Sequence, residues 1–104
     1  MYEHIDYTKI PQHMRESVYK YINEGVPPGT FLRAVLENDL VSAFVFADDL
    51  NNKVLNDWVS FVWWDLPVES WGSRKKVNLW MKRRQHEFSL RNTDSEVEDR
   101  TRTK

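Results

Sequence analysis

Residues 25–49 read GVPPGTFLRAVLENDLVSAFVFADD and hold a stop, a rigid turn and two short apolar runs. Gly25 suits the left-handed position after a helix, and Pro27 and Pro28 cannot continue one. A new helix is predicted from about Pro28 to Thr30, with Phe31, Leu32, Val35 and Leu36 on its apolar face. Asn38 or Asp39 then offers a cap for a further helix. Leu40–Ala47 is apolar on nearly every side, Ser42 being its one polar residue. Helix is favoured over strand there because no hairpin partner or turn dipeptide is near. A helix apolar all round is expected at the centre of the core.

Working outward, residues 1–9 show no period and are expected to form an arm that packs on the body. Ile10-Pro11 marks a helix start, and Met14, Val18, Tyr21 and Ile22 fall on one helical face up to Gly25. Asp48, Asp49 and Asn51 are further caps. Leu50, Val54, Trp58 and Phe61 recur at helical spacing, predicting one long helix to Asp65, ended by Leu66-Pro67. Residues 67–72 are predicted as a loop. Ser73 caps a last helix, Arg74 to about Phe88, with Val77, Trp80, Met81 and Arg84 along one face. Residues 89–104 carry little beyond Leu90 and Val97 to bury, so a disordered tail is expected. The predicted fold is all-α: one compact domain over residues 10–88, built of four to five short helices.

With 104 residues the chain supports a modest core and no large enclosed substrate cavity. Five Trp, four Tyr and five Phe let few residues fill that core. The absence of Cys excludes disulfides and thiolate chemistry. No apolar run approaches the ~20 residues of a membrane span. The first ten residues lack the basic start and apolar core of a signal peptide. A soluble protein of the cytoplasm is therefore expected. The net charge of −1 conceals a division: residues 1–73 carry five Lys/Arg against eleven Asp/Glu, and residues 74–104 carry ten against five. The chain is thus electrically polar.

Catalytic and metal constellations are missing from the pattern. His4, His13 and His86 have no Ser or Asp at a spacing that builds a triad, and without Cys the commonest metal frameworks are gone. No catalytic residue, metal or cofactor is expected. Asp39, Asp48 and Asp49 stand where capping explains them. Two candidate binding surfaces remain. Trp63-Trp64 is one: adjacent side chains on a helix point to different faces, so either one Trp is an exposed anchor for a protein partner, or both serve in packing. Trp71 stands close by. The other is the last helix, where Arg74, Lys75 and Lys76 and then Lys82, Arg83 and Arg84 suit phosphate contact. The plainer reading is a solvated amphipathic helix, since the charges stand at both ends of the run rather than in one stripe.

IPQHMRESVYKYINEGVPPGTFLRAVLENDL, FADDLN and PVESWGS, followed by a Trp-containing helix, resemble a family of small proteins from tailed bacteriophages and prophages. The resemblance covers Ile10 to Trp80. It implies a phage accessory protein and no catalytic residue. The function expected from these readings is non-catalytic binding to a host protein, as inhibitor or modulator of a host enzyme or defence system. Nucleic-acid binding by residues 74–84 is the second reading. Sequestration of a small anionic nucleotide, with Arg33 or the basic helix as phosphate ligand, is the third.

Overall fold

The computed structural model describes residue 2 and residues 4–103, and the side chains among them up to Arg91. Six α-helices follow one another among the described residues: α1 Gln12–Glu24, α2 Thr30–Leu36, α3 Leu40–Phe46, α4 Asp49–Lys53, α5 Leu55–Asp65 and α6 Arg74–Thr103. Two 3₁₀ turns, Tyr7–Lys9 and Val68–Ser70, precede α1 and α6. No strand is present among the described residues. The all-helical bundle is therefore the fold. The tail expected over residues 89–104 falls, from residue 92 onward, outside the described side chains.

Three of the helices, α3, α4 and α6, begin where a side chain provides an acceptor for the free amides of the first turn. The Asp39 carboxylate accepts from Ser42 N at 3.1 Å, Asp48 from Asn51 N at 2.7 Å, and the Ser73 hydroxyl from Lys76 N at 3.1 Å. Asp6 does the same for Thr8 N, opening the first 3₁₀ turn. Hydrogen bonds from the Thr8 hydroxyl, from Ser42 and from the Asn51 amide hold Asp6, Asp39 and Asp48 respectively below the ordinary 3.8. A carboxylate with a depressed folded pKa contributes stability above its unfolded pKa and loses it as pH falls through the folded one. The melting temperature is thus expected to fall below about pH 4. Asp48→Asn, which keeps a capping oxygen but cannot titrate, should flatten that fall in a pH series of thermal melts. An unchanged slope would show that Asp48 contributes nothing to it.

The core is aromatic. Trp58, Trp80, Tyr21 and Phe61 are fully buried, with Ile22, Leu32, Leu36, Val18 and Val77 around them. Phe31 and Phe61 each meet Trp58 edge-on, at ring-centroid distances of 5.5 and 6.1 Å, the arrangement favoured by the ring quadrupole. Every polar tip in this cluster has a partner. Trp80 Nε1 donates to the Tyr21 carbonyl at 3.2 Å, the Tyr21 hydroxyl to the Ser70 carbonyl at 2.6 Å, and Trp58 Nε1 to Asn51 Oδ1 at 3.0 Å. Burial pushes the Tyr21 phenol far above its usual range.

Gly25 ends α1 in the left-handed region, at φ +72°. The chain turns there against α6 so closely that a β-carbon on Gly25 would lie 2.5 Å from the Met81 carbonyl oxygen and 2.9 Å from Gln85 N. The Gln85 side-chain amide donates to the Gly25 carbonyl at 2.8 Å and closes the seat.

The arm is a tied strap. Ile5 and Ile10 are buried, and the Tyr2 ring packs on Trp80 at 5.6 Å. Its anchor is Asp65, a buried residue at the end of α5. Asp65 Oδ2 accepts from Asp6 N at 2.9 Å, Oδ1 from Lys9 Nζ at 2.6 Å, and the Asp65 carbonyl from His4 Nε2 at 2.9 Å.

Two expectations are corrected. The long helix from Leu50 breaks at Val54, whose φ of −114° is not helical. Asn51 rather than Leu50 faces inward, because the buried Trp58 indole needs an acceptor. The larger correction concerns α3, which is not the centre of the core. Only Ala43 is buried; Leu40, Val41, Phe44, Val45 and Phe46 are 52–73% exposed. The aromatic cluster already fills the interior, and two turns of helix reach it with one small residue packed toward α2.

Candidate functional site

Leu40, at the start of α3, shares a recess with Val59 of α5. Val59 and Trp63, one helical turn apart, are both exposed. The gap between them and α3 is floored by Val35 and Asn38, which line a recess shared with Leu40 and Val59 and an adjoining cleft of about 340 Å³ shared with Val59, Val62, Trp63 and Trp71. Trp71 meets Trp63 edge-on at 5.9 Å and is half-buried, so it braces the Trp63 ring from behind. Asn38 stands in the left-handed region at φ +63°, between the end of α2 and the cap of α3. Asn tolerates that conformation better than most residues, and it lets α3 fold back beside α2.

Both tryptophans of the pair are exposed, Trp63 by 63% and Trp64 by 73%. They sit about 100° apart on α5, as 3.6 residues per turn requires. Trp63 belongs to the cleft and Trp64 to the neighbouring flank. The sequence points to the tryptophans and to a helix at α3, but its apolar run suggests a core helix where the structure has an exposed one. The signal was present: an apolar run with one polar residue, longer than a seven-residue helix can bury on one side.

Three aromatics (Phe44, Phe46, Trp63) at roughly 200 Å² and four aliphatics (Leu40, Val41, Val45, Val59) at roughly 100 Å², about 60% exposed, leave on the order of 600 Å² of apolar surface. Ordinary monomers rarely show a larger patch than ~600 Å², and one side of a standard protein interface covers ~800 Å². The rim is acidic. Asp39 stands at one end of α3, Asp48 and Asp49 at the other, all exposed. The lowered pKa values of Asp39 and Asp48 keep both charged at neutral pH.

The basic helix is arranged differently from its sequence. Residues 75 and 82, and residues 76 and 83, are seven apart and so nearly in line on an α-helix. What reads as two separate clusters becomes one face. Lys76, Lys82, Arg83 and His86 line a cleft of about 650 Å³ with Val68, Glu69, Leu79 and Trp80, and Arg74, Lys75, Asn78, Leu79 and Lys82 line its neighbour. Arg84 is apart from this row: it is 7% exposed, pairs with Glu87, and lies over the rings of Tyr2 and Trp80. It clamps the arm and does not meet a phosphate. Arg74 and Arg33 both approach Glu37, at 3.6 and 3.9 Å. Arg33 also donates to the Met81 sulfur at 3.6 Å, so its charge is engaged within the fold.

Two of the three histidines have structural partners among the described residues. His4 meets the Asp65 carbonyl, and His13 Nε2 donates to Asp48 Oδ2 at 2.9 Å. Among the described residues, no three His, Asp or Glu side chains are placed to hold a metal ion, and no helix is long and apolar enough to cross a membrane.

Comparison with family models, with curated proteins and with solved structures finds no match to this chain.

Proposed function

We propose that this protein acts by binding another protein, without catalysis, and that the contact surface is the α3 face with the Val59–Trp63 edge of α5. The observation that carries this reading is the exposure of five apolar side chains on α3. Leaving them in water is unfavourable by roughly 25 cal/mol for each Å², and no other element of the described fold covers them. The acidic rim selects a partner whose apolar patch is bordered by Lys or Arg, since complementary charge steers approach and fixes register. Trp63, braced by Trp71, is the anchor such interfaces favour. The resemblance of residues 10–80 to proteins of tailed bacteriophages points to a host protein as that partner.

Affinity capture from bacterial lysate tests this. Val41→Asp/Phe44→Asp should abolish capture of a specific protein, and Trp63→Ala should weaken it at least tenfold. The melting temperatures should stay within a few degrees of wild type, because the altered side chains are exposed. Capture that survives both changes would overturn the reading. Sedimentation of the purified chain separates the self-contact case: a dimer dissolved by Val41→Asp/Phe44→Asp would mean that the face meets a second copy instead.

A further inference from the structure

The cleft between the Val68–Ser70 turn and α6 shares no residue with the α3–α5 face. Its floor is apolar, with Leu79 and Val68 both more than half exposed. Its rim carries Lys76, Lys82, Arg83 and His86, against the single carboxylate of Glu69. With His86 neutral the lining residues sum to +2: three cations less one anion. None of the four basic side chains makes an ion pair with a described residue. Arg83 is held in place by its guanidinium, which lies 4.9 Å from the centre of the Trp80 ring. That contact orders the guanidinium without neutralising it.

We infer that this cleft binds a small amphipathic organic phosphate, with the dianionic head on Lys82, Arg83, Lys76 and His86 and an apolar or aryl body on Leu79 and Val68. The volume of about 650 Å³ lies within the ~300–1,000 Å³ of small-molecule sites. The charge match favours a dianion over a monoanion. A single-stranded nucleic acid fits less well. Such strands are held by stacking on exposed aromatic rings, and the cleft's indole, Trp80, is 1% exposed and covered by Arg83, which leaves the His86 imidazole as the one ring among the described lining residues that is open to stacking.

The test is an amide NMR titration of the full chain with 1-naphthyl phosphate, with inorganic phosphate, 1-naphthol and oligothymidylate as separate arms. Naphthyl phosphate should shift Leu79, Lys82 and Arg83 saturably, at one ligand per chain, and at least tenfold more tightly than inorganic phosphate or naphthol. Lys82→Glu and Arg83→Glu, made singly, should each weaken it about tenfold; Lys82 is exposed, so that variant also controls for folding. Leu79→Ser should weaken naphthyl phosphate while leaving inorganic phosphate unchanged. Equal binding of naphthol would mean a merely apolar hollow and would overturn the inference. So would absence of saturation, or tighter binding of the oligonucleotide with a steep salt dependence.

Discussion

Gly25→Ala is expected to lower the melting temperature by roughly 8–32 °C. Two costs add at this position. A left-handed φ costs a non-glycine residue roughly 1 kcal/mol. The new methyl group would also lie 2.5 Å from the Met81 carbonyl oxygen and 2.9 Å from Gln85 N. Both are backbone atoms of α6, so the helix itself must move, and overpacking of this kind costs about 1–3 kcal/mol. At ~4–8 °C per kcal/mol for a domain of this size, the sum gives the range stated. Gly29→Ala is the control. Nothing lies within 4 Å of a β-carbon there, and φ is −69°. That variant should melt within about 3 °C of wild type. Matching melts for the two variants by circular dichroism would show that the approach of α1 to α6 is not the constraint argued here.

Asp65→Ala is expected to free the arm and to cost about 3 kcal/mol. The carboxylate is buried and accepts from both Lys9 Nζ and Asp6 N. Removing one partner of a buried pair costs ~3–5 kcal/mol. The lower end applies, because Lys9 is 43% exposed and regains water when released. Asp65→Asn should cost less, since one oxygen can still accept from Asp6 N. Denaturant unfolding gives the free energies. Amide exchange at Ile5 and Ile10 tests the mechanism: both should lose protection in Asp65→Ala before the core does. If core and arm lose protection together, Asp65 supports the whole fold and not the strap.

Helix boundaries were largely legible, because caps and stops are local. Asp39, Asp48, Ser73 and Gly25 each announce themselves within a few residues. The faces of α1 and α6 followed from spacing, down to the burial of Arg84 on the apolar side of α6. The errors arose where a distant residue decides the outcome. Asp65 resembles any acid at a helix end until residues 59 positions earlier are laid against it. Asn51 turned inward to serve Trp58, which a stripe of hydrophobic positions cannot reveal. For α3, apolar content was taken as a place in the core, whereas it states only that the helix needs covering. The basic residues misled in the opposite direction. Counted along the chain they form two clusters, and only the helical repeat places residues 75 and 82 side by side.

The seat of Gly25 also bears on the order in which the chain assembles. α2 and α3 are joined by a three-residue link and can pair as soon as each forms. The Gly25 turn can close by itself, but its contact with Gln85 spans 60 residues. A contact of such long range can form on either side of the folding barrier, and a chevron plot tells the two cases apart. Where it forms late, a strain felt only once α6 has docked would leave the folding rate nearly unchanged and act on the reverse step. In a chevron plot, Gly25→Ala would raise the unfolding arm and leave the refolding arm in place. The close approach at Gly25 would thereby act as a latch on the lifetime of the fold, with little influence on how fast it forms.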